Sequence, residues 1–220
     1  MPYETFLYRK DGPVARVIFN RTAKLNPVNE TVLVEFDEIL RDLRQAFEVR
    51  VVILTGSGRS FNVGADLTSL SKGTDPDYYA TLTDRQRKHL SQLGSIVCRG
   101  LEELEQITIA AINGFCVGGG LAFAISCDFR IAAESATFWI PEVDFGVPLV
   151  WGSIPRMVSQ LGPLKARELI MTCDRFSARE ALAAGVLNRV VPDEELEQAV
   201  DELARKLLRK PPMAHSRTKA

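Results

Sequence analysis

The sequence predicts an α/β fold, and three observations indicate this class. Residues 51–54 form a continuous, mostly β-branched apolar run that ends in Thr55-Gly56, which is typical of a strand covered by helices on both faces. Residues 109–128 contain a strand pattern, a break at glycines and a second apolar segment that indicates a buried helix. Amphipathic helical patterns alternate with these strands. With 220 residues, 46% of them hydrophobic, and neither repeats nor linkers, the chain is expected to form one globular domain.

The N-terminal part predicts a hairpin and then a helix. Residues 5–20 suggest two short strands around a turn at Asp11-Gly12-Pro13. Asn29 is a candidate N-cap for the helix that follows. Its apolar residues recur at three- and four-residue steps and predict one buried stripe: Val32, Phe36, Ile39, Leu40, Leu43 and Phe47.

The segment after the internal strand predicts a turn, a loop and a helix. Residues 64–67 indicate a second glycine turn that feeds a helix and offers a backbone N–H. Residues 71–90 are polar and lack periodicity, so we expect a mobile loop that could cover a pocket. An amphipathic helix is expected beyond it, with an apolar face formed by Leu90, Leu93, Ile96, Val97 and Leu101.

The glycines of the central stretch are the first candidate site. Residues 109–112 predict a strand, and Gly118-Gly119-Gly120 precedes a predicted helix over residues 121–127. The first N–H groups of a helix have no partner within it, so glycines there allow a ligand oxyanion to approach. The alternative is that the glycines only permit close packing. A dinucleotide fold is disfavoured, because its G-x-G-x-x-G spacing places a glycine where this chain has Phe123.

A carboxylate follows the next pair of strands. Residues 129–133 and 137–140 predict short strands, and Pro141-Glu142 ends the second. Glu142 is either a solvent-facing loop residue or a desolvated general acid or base, since its sequence neighbours are largely apolar. Asp144 could share that role, although a surface charge is favoured. Helices beginning at Pro163 and Ser177, a strand over residues 186–191 and a helix over residues 193–209 complete the prediction.

Composition narrows the function classes. The 27 basic and 28 acidic side chains leave a net charge near -1, so we expect no nucleic-acid partner. The four cysteines lack metal or disulfide spacing and are interpreted as reduced core thiols: Cys98, Cys116, Cys127 and Cys173. His89 and His215 are interpreted as surface residues, and no metal site is predicted. Without a signal-peptide pattern or an apolar run of about 20 residues, a soluble, cytoplasmic protein without membrane association is expected.

Several motifs in fixed order resemble the crotonase superfamily, which is the enoyl-CoA hydratase/isomerase family. They are L-N-P-V-N at 25–29, R-V-V-I-L-T-G-S-G-R-S-F-N-V-G-A-D-L at 50–67, A-A-I-N-G-F-C-V-G-G-G at 110–120, C-D-F-R-I-A-A-E-S-A-T-F at 127–138 and P-E at 141–142. The resemblance implies a crotonase-like α/β spiral of ββα units. It also implies an acyl-CoA thioester substrate, no cofactor apart from the coenzyme A of that substrate, and a homotrimer or homohexamer.

The resemblance also assigns site residues. The family's two oxyanion-hole donors fall on the backbone N–H groups of Ala65 and Gly119, and its acid/base falls on Glu142. Such donors stabilise the negative charge that enolisation places on the thioester oxygen. The resemblance implies that the residues binding coenzyme A and the acyl group are Lys24, Leu25, Asn26, Asn62, Val63, Gly64, Asp66, Gly118 and Trp139.

The sequence departs from the family pattern at three places, two of which affect the predicted reaction or its acyl pocket and one of which concerns the C-terminal region. Hydratases of the family usually carry a second glutamate where this chain has Ala122. A single carboxylate favours double-bond isomerisation of an enoyl-CoA, with hydration of a 2-enoyl-CoA or a non-catalytic acyl-CoA-binding subunit as alternatives. Residues 147–152 replace a glycine-rich stretch and predict a bulkier acyl pocket. Family members normally continue past the K-P-P region, here residues 210–212, into helices that cover the acyl pocket. Residues 1–192 are therefore interpreted as the core and 193–220 as the start of a C-terminal helical region, which is either truncated here or lacks the contacts that those helices make.

Overall fold

In the part of the chain that the structure describes, ten strands in two sheets form the centre of the molecule. The computed structural model describes residues 2–67 and 80–219. In chain order the strands are β1 (Phe6–Asp11), β2 (Val14–Phe19), β3 (Val51–Gly56), β4 (Ser60–Asn62), β5 (Ile107–Ile112), β6 (Phe115–Val117), β7 (Phe129–Ala133), β8 (Thr137–Trp139), β9 (Phe176–Ser177) and β10 (Arg189–Val191). The large sheet has the order β1-β2-β3-β5-β7-β10, and the small sheet has the order β4-β6-β8-β9.

Helices surround these sheets. They are α1 (Glu30–Gln45), α2 (Asp84–Glu102), α3 (Gly119–Ile125), α4 (Ser153–Leu161), α5 (Pro163–Met171), α6 (Ala178–Ala183), α7 (Leu196–Leu208) and α8 (Pro212–Lys219), with 3-10 turns at Thr22–Lys24 and Asp193–Glu195. The side chain of Asn29 accepts a hydrogen bond from Val32 N (3.1 Å), which confirms the predicted cap of α1. The predicted capping box of α6 is also present, between Ser177 and Glu180.

The large sheet is covered on both faces, as the apolar run of β3 predicts. Val52 and Leu54 point into the main core beneath α1, whereas Val51 and Ile53 point to the opposite face. There α7 covers the sheet with Leu196, Ala199, Val200 and Ala204. Because successive side chains of a strand alternate between faces, a strand with two buried faces must be apolar throughout.

A repeated strand pair positions the candidate site. β3 and β4, β5 and β6, and β7 and β8 each contribute one strand to the large sheet and the next to the small sheet. In the small sheet β4, β6 and β8 are neighbouring and parallel. Their carboxyl ends therefore lie side by side, at the usual strand spacing of about 4.8 Å. The segments that follow these ends carry the predicted site residues.

Four local predictions are wrong. Phe47 is 86% exposed, because α1 ends at Gln45 and Ala46 leaves the helical conformation. α2 begins at Asp84, so the end of the predicted loop is helical; residues 71–79 lie outside the described residues. α3 begins at Gly119 and ends at Ile125 rather than Cys127. Only Arg189–Val191 of the predicted strand over residues 186–191 is a strand.

Candidate active site

The first segment of the site is the turn after β4. Gly64 has a φ of +76°, a backbone conformation that residues with a β-carbon rarely adopt. Its N–H donates to Asn62 Oδ1 (2.9 Å). The turn is held from outside by Val28, whose N–H donates to Gly64 O (2.7 Å) and whose carbonyl accepts from Asp66 N (2.8 Å). Ala65 is the bridged residue between those two bonds, so its own N–H is directed away from Val28.

The second segment is the turn after β6, which lies directly against the first. Gly118 has a φ of +48° and donates its N–H to Trp139 O (2.9 Å) of the neighbouring strand β8. Gly119 is the first residue of α3, where backbone N–H groups have no intrahelical acceptor. A β-carbon at position 64 would lie 3.2 Å from Gly119 N and 2.9 Å from Val117 O. The two glycine turns are therefore packed together without room for a side chain.

The third segment carries Glu142, which follows β8. Its carboxylate lies against Gly118, where an added β-carbon would overlap Oε1 and lie 3.3 Å from the carboxyl carbon. Glu142 Oε2 is buried and has no hydrogen-bond partner among residues 2–67 and 80–219. Burial raises the pKa of this carboxyl above its ordinary value, against a smaller lowering by a backbone hydrogen bond. Of the two interpretations of Glu142, the desolvated carboxylate agrees with the structure.

Cationic residues border the site at the turn after β4. Asp66 is buried and pairs with Arg21 at 2.9 Å, and the amine of Lys24 lies 3.9 Å from the same carboxylate oxygen. Lys24 is more than half exposed at its side chain, so its charge faces solvent at this edge. Arg21 was not among the predicted site residues, although it lies four residues before the L-N-P-V-N motif.

Asn26 holds this edge in place rather than facing solvent. It is buried, with a φ of +59°. Its side-chain oxygen accepts from Arg21 N (2.9 Å), and its amide donates to Ser60 O (2.8 Å) and Ser57 O (3.0 Å). The 20–28 segment is thereby fixed to the β3–β4 connection, which positions the turn at Gly64.

Other predicted residues have different placements. Trp139 contributes its carbonyl to Gly118, whereas its indole N–H donates to Cys173 O (2.8 Å) and its ring lies 4.6 Å from the guanidinium of Arg175. Leu25 and Val63 are half-buried, and Asp144 is exposed. His89 is exposed and His215 is half-buried. All four cysteines are buried and free, which agrees with the prediction of core thiols.

A further residue near the glycine turns escaped the sequence analysis. The indole of Trp151 lies against Gly119, where an added β-carbon would be 2.9 Å from Cη2. The only sequence signal was the replacement of a glycine-rich stretch by residues 147–152.

Outside the site, the described residues form a cavity but neither a metal-binding cluster nor a membrane-spanning helix. A cavity of about 550 Å³ lies elsewhere, at the amino ends of β3 and β5, and none of the predicted site residues lines it. Among residues 2–67 and 80–219, no group of three or more His, Cys, Asp or Glu side chains is placed to hold a metal ion. No helix in the same part of the chain is long and apolar enough to cross a bilayer.

Comparison with known proteins supports the resemblance seen in the sequence. The sequence model of the enoyl-CoA hydratase/isomerase family matches residues 9–220. The chain is 37% identical over 215 residues to a short-chain-enoyl-CoA hydratase of Clostridium acetobutylicum, a match that covers 97% of this chain and 79% of that protein. It is 35% identical over 221 residues to a crotonyl-CoA hydratase of Syntrophomonas wolfei, covering 100% and 82%.

The fold has a counterpart among solved structures. An enoyl-CoA hydratase from Bacillus anthracis superposes with a TM-score of 0.87 at 33% identity, covering 98% of this chain and 81% of that one. The predicted crotonase-like α/β fold with a helical C-terminal part is confirmed. The chain belongs to the enoyl-CoA hydratase/isomerase family. It is an enzyme of that family, as the identity over most of its length supports.

Proposed function

We propose that the protein adds water reversibly to a 2-enoyl-CoA thioester. The backbone amides of Ala65 and Gly119 hold the thioester oxygen, and Glu142 moves the proton. The observation that carries this proposal is Glu142 Oε2, which is buried next to the Gly118-Gly119 peptide and has no hydrogen-bond partner within the described ranges 2–67 and 80–219. The hydratase names of the relatives from Clostridium acetobutylicum and Syntrophomonas wolfei support an acyl-CoA substrate and favour hydration over the isomerisation expected from the sequence.

The two amides supply the electrostatic part of the mechanism. Addition of a nucleophile at C3 moves electron density to the thioester oxygen, which becomes an enolate oxygen. Fixed N–H donors directed at that oxygen stabilise the transition state because they need no reorganisation. The contact between the turn at Gly64 and the amide of Gly119 supports donors that act on one oxygen.

Glu142 supplies the proton transfer. As an ionised carboxylate it accepts a proton from water while the water oxygen bonds to C3, and it then returns a proton to C2 of the enolate. Burial, which raises its pKa, favours the protonated form needed for the second step. The absence of a protein partner for Oε2 within the described residues leaves this atom available for water or substrate.

The substrate also needs a binding edge. We assign the coenzyme A moiety to the edge formed by Lys24 and Leu25, with the exposed amine of Lys24 facing its phosphates, and the buried Asn26 positions that edge from within. The turn residues Asn62, Val63, Gly64 and Asp66, together with Gly118 and Trp139, would line the thioester end. Coenzyme A enters as part of the substrate, so the proposal requires no separate cofactor. Assembly as a homotrimer or homohexamer stays a prediction.

A second candidate reaction is double-bond isomerisation of a 3-enoyl-CoA. The observation that favours it is Ala122, a buried methyl group where the family's hydratases usually carry their second glutamate. A single carboxylate suffices for isomerisation, since Glu142 can remove a proton from C2 and return it to C4. Hydration requires the same carboxylate to handle both water and C2.

Two substrates and two variants test these proposals. Loss of the conjugated enoyl absorbance of crotonyl-CoA measures hydration, and its appearance from a 3-enoyl-CoA measures isomerisation. We expect Glu142→Gln to lower turnover by about 10²–10⁴-fold. Asp144→Asn removes an exposed carboxylate two residues away and should change turnover little. Equal activity of wild type and Glu142→Gln would exclude Glu142, and tight acyl-CoA binding without either reaction would favour a non-catalytic role.

A further inference from the structure

Trp151 occupies a constrained position between two helices. It lies in the connection from β8 to α4, with a φ of +60° followed by +73° at Gly152. Arg156 donates to the carbonyl of Trp151 (2.9 Å) and also pairs with Glu102 of α2, with Nε 3.1 Å from Oε2. Arg156 therefore links the backbone of Trp151 to α2 by hydrogen bonds.

The indole fills the gap between α2 and the first turn of α3. An added β-carbon at Gly94 of α2 would overlap the five-membered side of the indole, and one at Gly119 would lie 2.9 Å from Cη2 and 3.5 Å from Cε3 of the six-membered ring. The ring stacks on Phe123, with centroids 5.4 Å apart and planes 25° apart. Two glycines on facing helices therefore make room for one large side chain.

This gap adjoins the proposed reaction centre. Gly119, Ala122 and Phe123 are three and four residues apart and share one face of α3. If the amide of Gly119 holds the thioester oxygen, the acyl chain attached to that carbonyl extends along this face of α3. The indole lies on that face and blocks one direction for a growing acyl chain.

We propose that Trp151 forms the closed end of the acyl pocket and restricts the enzyme to short acyl groups. The proposal rests on the function proposed above, since it needs the thioester at Gly119. The stack on Phe123 and the hydrogen bond from Arg156 hold the ring as a fixed wall. A side chain held between two helices does not swing aside for each substrate.

Chain-length selectivity tests this assignment. Wild type, Trp151→Ala, Trp151→Phe and Leu164→Ala are compared for turnover of 2-enoyl-CoA substrates with four and ten carbons. Binding of saturated acyl-CoA of the same lengths is measured by calorimetry. We expect Trp151→Ala to raise the ratio of kcat/KM for ten over four carbons by about 10–200-fold. Trp151→Phe should give a smaller rise, and Leu164→Ala, which changes an exposed side chain of α5, should give none.

The outcomes separate this proposal from the proposed function. A shifted binding ratio supports the role of Trp151 even where the reaction is not hydration. Acyl-CoA binding with the same length preference in wild type and both Trp151 variants overturns the role of Trp151 alone. No binding of any acyl-CoA by folded wild type overturns both proposals. Circular dichroism and thermal unfolding establish that each variant is folded, and Trp151→Phe decides the result if Trp151→Ala does not fold.

Discussion

Replacement of Gly64 by alanine tests the proposed oxyanion site, and the same replacement at Gly12 serves as its control. Gly64 and Gly12 both have a φ in the left-handed region, at +76° and +52°. Each change to alanine should therefore cost about 1–2 kcal/mol of folding free energy. In a domain of this size, that corresponds to a fall in Tm of about 2–8 °C.

The surroundings of the two glycines differ. A β-carbon at position 12 has nothing within 4 Å, whereas one at position 64 lies 2.9 Å from Val117 O and 3.2 Å from Gly119 N. The contact with Val117 is closer than real β-carbons show, so the turns must move apart. Loss of one oxyanion donor costs about 2.7–4 kcal/mol of transition-state stabilisation. We therefore expect Gly64→Ala to lower kcat by about 10²–10³-fold.

The assay is turnover of crotonyl-CoA by the folded variants, with thermal unfolding measured in parallel. Gly12 lies in the β1–β2 hairpin, next to the amino ends of β2 and β3, whereas the site follows the carboxyl ends of the strands. The Gly12→Ala variant should therefore retain wild-type activity. Folded Gly64→Ala with activity close to wild type would refute the role of this turn. A comparable loss in Gly12→Ala would attribute the effect to stability alone.

Three further predictions follow from buried groups. Because burial raises the pKa of Glu142, the stability that this group contributes is present at low pH and is lost as the pH rises through its pKa in the folded protein. Thermal unfolding over a pH series should therefore show Glu142→Gln gaining stability relative to wild type as the pH rises. A stability difference that does not change with pH would contradict this. Burial raises the pKa of Cys98 and Cys127 to about 12, so a thiol reagent should label none of the four buried cysteines in the native protein and all four in denaturant. Phe123→Ala should cost about 3–5 kcal/mol in chemical denaturation, since Phe123 is fully buried and stacks on Phe19 and Trp151; a cost below about 1 kcal/mol would contradict this packing.

The sequence predicts well the features that depend on local periodicity. The apolar stripe of α1 from Val32 to Leu43 and the continuous apolar run of β3 can each be recognised from neighbouring residues alone, and the structure buries both. The cap at Asn29 and the box at Ser177 are equally local. Phe47 continues the spacing of α1 but lies beyond its end, because periodicity does not show where a helix stops.

Within the small sheet, β8 was predicted, whereas β4 and β6 were beyond local prediction. β4 and β6 have three residues each and are stabilised by pairing with strands distant in sequence, which no short window reveals. The glycine turns themselves were predicted, but their contact follows from that pairing. Trp151 is a stronger case, since its neighbours Gly94 and Gly119 lie 57 and 32 residues away in the sequence. Only the three-dimensional structure shows that these glycines accommodate the indole.

The most direct test of the mechanism is hydrogen exchange at C2 of a saturated substrate. Butyryl-CoA has no double bond to hydrate or shift, yet forming its enolate requires both the oxyanion donors and the base. Mass spectrometry of butyryl-CoA incubated with the enzyme in D₂O reports this step alone. We expect wild type to introduce deuterium at C2 and Glu142→Gln to do so at least about 10²-fold more slowly. Equal exchange by the two proteins, or no exchange by wild type with butyryl-CoA bound, would contradict the proposed mechanism.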